Sequence, residues 1–161
     1  MNKISSNLGD LDNLHAVYDW IPGSDQIRPV LNLKQAKVEL VKKLESEWES
    51  FPDYILHNVF EVPFYVRASG KKRSSRHEDI SGRVKFLPNE FPYQVGPNGH
   101  HHVLWFGSAS CPWSDDEISS RIQFELMRLV KGSKFLFAWY ENPKMTVPEF
   151  YHVQVFWTTS I

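Results

Sequence analysis

With a single cysteine, Cys111, the 161-residue chain cannot form an internal disulfide. A disulfide-stapled scaffold is excluded, and a reducing compartment is the expectation. No run of about 18 apolar residues occurs, so no transmembrane helix is expected. The opening MNKISSNLGDLDNLH lacks the apolar core of a secretion signal. Eighteen Lys and Arg against nineteen Asp and Glu give a net charge of −1. That balance offers no bulk electrostatic case for nucleic acid or a membrane as partner. Only 8 glycines are present, and neither a Gly-rich phosphate loop nor GxSxG nor HExxH appears. These absences leave a cytoplasmic protein with nuclear access by size as the expected class.

Aromatics are what the chain has in quantity: 11 Phe, 6 Trp and 6 Tyr. The length suits one domain with a real core. Residues 1–30 read as an irregular N-terminal arm, with a turn at Ile21-Pro22-Gly23 and anchors in Tyr18, Trp20 and Ile21. Residues 31–161 read as a single α+β domain. A helix is predicted over Asn32 to Ser50, capped by Asn32, with Leu33, Ala36, Leu40, Leu44 and Trp48 at helical spacing and Val41 beside them. Pro52 ends it and a short helix follows, in which His57 is expected to be a hydrogen-bonded structural residue. Phe64 to Val66 is a candidate strand. Ala68 to Gly82 reads as a charged loop, whose Lys71, Lys72, Arg73 and Arg76 either hold phosphate, are simply solvated, or form a weak nuclear import signal.

Arg83 to Leu87 and Val103 to Phe106 have the pattern of an antiparallel hairpin with a long connection. Ser114 followed by Glu117 is a capping box, and Ile118, Ile122, Leu126 and Leu129 continue a helical stripe until Lys131-Gly132. Strands are predicted over Phe135 to Tyr140 and Phe150 to Trp157. No βαβ alternation appears, so the predicted architecture is an antiparallel sheet with flanking helices.

Strand pleating puts Phe150, His152, Gln154 and Phe156 on one face of the last strand and Tyr151, Val153, Val155 and Trp157 on the other. The second set reads as core. The first sets two polar groups between aromatics, as a pocket floor would. Neutral imidazole at His152 can attack phosphorus or act as a general base, and Gln154, with Asn142 in the preceding loop, can hold its tautomer and the phosphate oxygens. The competing expectation is a buried His152 satisfied by backbone or paired with Glu149. Lys144 and Thr146 share the preceding loop. Among His100, His101 and His102, alternation puts His101 with Val103 and Trp105 on one face and the other two opposite. A zinc site would need His100, His102 and a third ligand such as Cys111 or His152, and with no CxxC or HxxxH pair no metal or other cofactor is expected. A non-catalytic binding module is the alternative class, its aromatic pocket built from Trp105, Trp139, Tyr140 and Phe156.

The run Leu87-Pro88-Asn89-Glu90-Phe91-Pro92-Tyr93, His101 with Trp105 four residues on, Trp139-Tyr140-x-Asn142 and His152-Val153 together resemble the fungal N-acetylglucosamine-induced protein family, a domain of unknown function. The likeness spans about residues 33 to 157 and is strongest over 84 to 157. Phe150 stands where that family usually has a histidine. More distantly, the order Pro92-Tyr93, His101, helix 115–130, Asn142 and Phe150-x-His152-x-Gln154 is similar to the histidine-triad superfamily. That resemblance implies a histidine-triad-like fold with His152 as nucleophile toward a nucleotide α-phosphate. Gln154 would take the third triad position and Asn142 would orient the phosphate.

The expected function is therefore binding of a nucleotide or sugar phosphate, with phosphate-ester or phosphoramidate hydrolysis or nucleotidyl transfer through His152. The catalytic candidates are His152 and Gln154; the substrate-binding candidates are Asn142, His101, Asn89, Lys144 and Trp105. The expected partner is a small phosphorylated ligand, with no nucleic acid and no membrane.

Overall fold

In a computed structural model the described residues are 2–3, 31–90, 99–141 and 147–159, with the side chains of 2–3, 31–34 and Tyr140 outside the description. The described elements run β1 (Asn2–Lys3), α1 (Leu31–Glu47), α2 (Phe51–Asn58), β2 (Phe64–Val66), β3 (Lys72–Ser74), β4 (Val84–Pro88), β5 (His100–Phe106), α3 (Asp115–Val130), β6 (Leu136–Glu141) and β7 (His152–Thr158). The protein is an α+β fold whose main sheet has the order β1-β6-β7-β5-β4, with a separate β2-β3 hairpin. Every pairing in both sheets is antiparallel. No helix among the described residues is long and apolar enough to cross a membrane.

The two hairpins, β4-β5 and β6-β7, are joined edge to edge by β5 and β7, with Val103 opposite Gln154 and Trp105 opposite His152. α3 covers one face of this sheet. Its capping box forms as the sequence predicts: Glu117 N–H donates to Ser114 Oγ at 3.2 Å and Ser114 N–H to the Glu117 carboxylate at 3.3 Å. Lys131 and Gly132 end the helix with left-handed backbone, φ 51° and 92°. Ile118, Ile122 and Leu126 pack on Leu104, Phe106, Phe137, Trp139, Val153, Val155 and Trp157. Each such side chain contributes about 1.5–3 kcal/mol of hydrophobic stabilisation. The opposite face meets α2 and its neighbours through Ile55, Leu56, Val59, Phe60, Val147 and Phe150, with Leu87 and Trp105 against them.

Several local expectations differ. α1 stops at Glu47, and of the described part of the predicted stripe only Leu44 and Trp48 are buried, while Ala36 is exposed, Leu40 and Val41 are half-buried, and the Leu33 side chain lies outside the description. The described part of this helix packs chiefly through its C-terminal end, so an amphipathic pattern over its length overstates its burial. Leu129 is likewise exposed although it lies on the α3 stripe, because the helix ends one residue later. β7 begins at His152, so Phe150 and Tyr151 lead into the strand rather than belong to it. Asn2 and Lys3, read as part of the arm, pair with Tyr140 and Trp139 as an edge strand; Tyr18, Trp20 and Ile21 lie outside the described residues.

The charged segment is a hairpin. Lys72 to Ser74 pairs with β2, and two of the four cations there are committed to structure. Lys72 Nζ lies 5.5 Å from the Trp48 ring centroid and 5.2 Å from that of Phe64. Arg76 pairs with Asp53 at 3.0 Å. His57 meets its expectation, its Nδ1 hydrogen-bonded to the Val62 carbonyl at 2.9 Å. Gly107 is required by close approach: a Cβ there would lie 1.9 Å from the Ile80 carbonyl oxygen.

Asp53 ties the hairpin to α2. Its carboxylate accepts from Ser50 Oγ at 2.6 Å, Ser74 N–H at 3.1 Å and Arg76 at 3.0 Å. Its carbonyl accepts from Ser74 Oγ at 2.5 Å. Burial raises the carboxyl pKa, but the bonds from Ser50, Arg76 and Ser74 outweigh it and hold the group below its ordinary value. Its stabilisation is thus present at neutral pH and is lost as pH falls below the usual carboxylate range. Asp53→Ala is expected to cost about 3 kcal/mol in urea unfolding by stranding these donors, whereas Arg76→Ala, removing a half-exposed partner, costs about 1 kcal/mol or less.

Candidate functional site

The site residues that sequence reasoning grouped divide by strand register. His152 and Gln154 of β7, with His101 and Trp105 of β5, lie on the sheet face opposite α3. All seven residues of β7 are buried, so its polar side chains must be satisfied within the protein or stand ready for a ligand.

His152 is 5% exposed and lies against the Trp105 ring, with centroids 4.5 Å apart. Its Nδ1–H donates to the Phe150 carbonyl at 2.9 Å. That bond fixes the tautomer and leaves Nε2 with a bare lone pair. Nε2 has no hydrogen-bond partner among the described residues. Burial pushes the His152 pKa down and the Phe150 carbonyl only partly offsets this, so the ring is neutral at pH 7. Phe150 acts through its main chain. Its side chain packs on Phe60, ring centroids 5.7 Å apart. Pairing of His152 with Glu149 is not observed among the described contacts, and Glu149 is exposed.

Gln154, 6% exposed, accepts from His101 Nε2–H at 2.5 Å through its amide oxygen. Its amide nitrogen, with two N–H donors, has no partner among the described residues. His101 is buried, stacks on Phe156 with centroids 4.4 Å apart, and lies 3.5 Å from Asn89 Nδ2 through Nε2. Asn89 N–H also donates to the His101 carbonyl at 2.9 Å. Burial pushes the His101 pKa to about 4, with the Gln154 bond opposing and His102 assisting. His101 sits opposite Phe156, two same-face positions from the His152 row and about 13 Å along the strand from it. It touches Gln154, not the proposed nucleophile.

The structure therefore brings together His152, Gln154 and Trp105, with His101 and Asn89 behind Gln154. Asn142 and Lys144 lie outside the described residues, as does the side chain of Tyr140. Trp139 does not join the aromatic pocket. It is buried on the α3 face, where its Nε1–H donates to Ser119 Oγ at 2.9 Å. Strand parity in β6 carries that signal, since Trp139 lies opposite Val155 and not opposite Gln154.

His100 and His102 lie on the α3 side, as alternation requires. Trp157 Nε1–H donates to His102 Nδ1 at 3.0 Å, His102 stacks on Phe86, and His100 stacks on Trp157. Among the described residues no group of three or more potential ligands is arranged to hold a metal ion. The role of His102 as acceptor from a buried indole escapes sequence reading, because the partner is 55 residues away.

No family model matches this chain, and no curated protein matches it. Among solved structures, one described as the crystal structure of HTC1 is similar, with a TM-score of 0.45 and 18% identity over 82% of this chain and 76% of that one. A likeness of that depth carries no argument about function.

Three buried imidazoles with depressed pKa, His101, His102 and His152, give the protein a distinct acid response. His101 and His102 both titrate at about 4, against an ordinary value of 6.5, chiefly through burial. The unfolded chain takes up their protons first, so their contribution is complete above pH 6.5 and declines as pH falls toward 4. The upper limit is on the order of 3 kcal/mol per ring. Urea unfolding across this range is expected to show that decline, and His102→Gln, which keeps an acceptor for Trp157, is expected to make it shallower while His101 and His152 maintain the rest. A flat profile would contradict the assignment.

Proposed function

We propose that the chain binds a nucleotide or sugar phosphate over the His152–Gln154 face, with His152 as nucleophile toward phosphorus. The observation that supports this is the adjacency, on one buried strand face, of a bare imidazole Nε2 and an unpartnered amide nitrogen. A lone pair beside two fixed N–H donors is complementary to a phosphoryl group: Nε2 meets the phosphorus and the Gln154 amide holds a non-bridging oxygen. In the step, the Nε2 lone pair forms an N–P bond while the P–O bond to the leaving group breaks, its electron pair departing on that oxygen. Water or an acceptor hydroxyl then displaces the histidine, giving hydrolysis or transfer. The Phe150 carbonyl stabilises the ring as positive charge develops, since Nδ1–H keeps its acceptor throughout. Asn89, Asn142 and Lys144 are the further substrate contacts in this reading, and Trp105 buttresses the nucleophile.

The histidine-triad resemblance agrees in the order of these groups. Its departure at Phe150 leaves the tautomer lock untouched, because a main-chain carbonyl makes it. The alternative, a non-catalytic binding module with an aromatic pocket, is favoured by the depth of His152, 5% exposed against Trp105.

Nucleoside phosphates, phosphoramidates and amino-sugar phosphates should be screened for turnover and for thermal stabilisation with the wild type and His152→Ala. The expected result is turnover through an acid-labile, base-stable covalent intermediate, reduced at least about 1,000-fold in His152→Ala. Stabilisation by a ligand without turnover in either protein would replace this reading with the binding module.

A further inference from the structure

Outside that site, the β2-β3 hairpin carries a concentration of charge that the chain as a whole does not. Between Val62 and His77 there are five Lys and Arg residues and no Asp or Glu, in a protein of net charge −1. Lys72 and Arg76 are occupied, one over the Trp48 and Phe64 rings and one on Asp53. Arg67, Lys71 and Arg73 are in no ion pair among the described residues.

Register gathers these three around one aromatic ring. Tyr65 lies directly opposite Arg73. Arg67 follows two residues after Tyr65, on the same face by pleating, and its N–H donates to the Lys71 carbonyl at 2.8 Å as the ladder continues toward the turn. The three cations thus belong to neighbouring positions about 5–7 Å apart in the backbone. Like charges facing each other across a ladder are destabilising, so this arrangement lacks a stability rationale of its own. Tyr65 is 52% exposed and Val66 61%, so the ring is presented to solvent among the charges.

We infer that this face of the hairpin binds single-stranded nucleic acid, with phosphates on Arg67, Lys71 and Arg73 and a base stacked on Tyr65. The chemistry favours this occupant over others of the same charge. Arginine forks match phosphate oxygens in pairs, and a single strand alternates those phosphates with unstacked π-faces that an exposed tyrosine can hold. An acidic peptide would answer the charge and leave the ring unused. An anionic membrane would require large apolar side chains at the hairpin tip, where Ala68, Ser69 and Gly70 stand, whereas the exposed Phe64 and Val66 lie back along β2. The charge is local to one hairpin, which is why the net charge gave no sign of it.

Fluorescence anisotropy of a labelled oligouridine of about twelve nucleotides tests this directly. Three phosphate contacts predict a slope of about −2 in log affinity against log salt, or about 20-fold weaker binding for a fourfold increase in salt. Arg67→Glu with Lys71→Glu and Arg73→Glu is expected to abolish binding. The milder pair Arg67→Gln and Arg73→Gln, which keeps one cation, is expected to flatten the slope to about −0.7, and an unchanged thermal midpoint shows that the hairpin stays folded. Tyr65→Ala is expected to weaken binding at least about 5-fold, and His152→Ala to leave it unchanged. The inference is overturned if the wild type does not bind the oligouridine at low salt, if charge reversal or Tyr65→Ala leaves binding intact, or if His152→Ala removes it. Capture by phosphatidylserine vesicles, lost on charge reversal, with no oligouridine binding would likewise overturn it and assign the face to membranes.

Discussion

Burial of β7 along its whole length is the constraint from which the rest follows. A strand with water on one side can carry histidine and glutamine without consequence. A strand covered on both sides must find partners for them, because an unmatched buried polar group costs about 1–3 kcal/mol. Here half of that demand is met: the Phe150 carbonyl takes His152 Nδ1–H, and Gln154 takes His101 Nε2–H. The other half, Nε2 of one residue and the amide nitrogen of the next on the same face, is left over. Native proteins retain such groups where a ligand completes them, and the proposed phosphoryl chemistry is one that uses a lone pair and a donor side by side.

The two layers around the sheet explain why β7 is held so firmly. On one side α3 presents Ile118, Ile122 and Leu126 to Val153, Val155 and Trp157. On the other, α2 and the residues before β7 bring Phe60 against Phe150, which sets the chain entering the strand and hence the carbonyl that holds His152. Asp53 binds the same α2 to the small hairpin. A change in α2 would therefore reach His152 through packing, at the Phe60–Phe150 contact, without any polar link.

Much of this was legible in the sequence wherever the signal was local. The capping box at Ser114, the stop at Lys131-Gly132, the pairing of β4 with β5 and the α+β class came from spacing of a few residues. The alternation in His152-Val153-Gln154-Val155 placed the polar pair and its core-facing neighbours correctly, and the same rule separated His101 from His100 and His102. What escaped were facts set by tertiary geometry. Only packing shows that Leu129 lies past the end of the covered surface, that Trp139 belongs to the α3 core, or that Lys72 and Arg76 are occupied while Arg67, Lys71 and Arg73 are not. The separation of His101 from His152 needed the β5-β7 register, which no single-strand pattern encodes.

His152 is neutral, protonated at Nδ1 and bare at Nε2, whereas the two buried imidazoles of β5 carry their protons at Nε2 because His101 donates from Nε2 and His102 accepts at Nδ1. Long-range proton–nitrogen correlation NMR of the histidine rings at neutral pH distinguishes these states directly. The expected result is an Nδ1–H tautomer for His152 and Nε2–H tautomers for His101 and His102. A protonated His152, or one carrying its hydrogen at Nε2, would leave no lone pair for phosphorus and would contradict it.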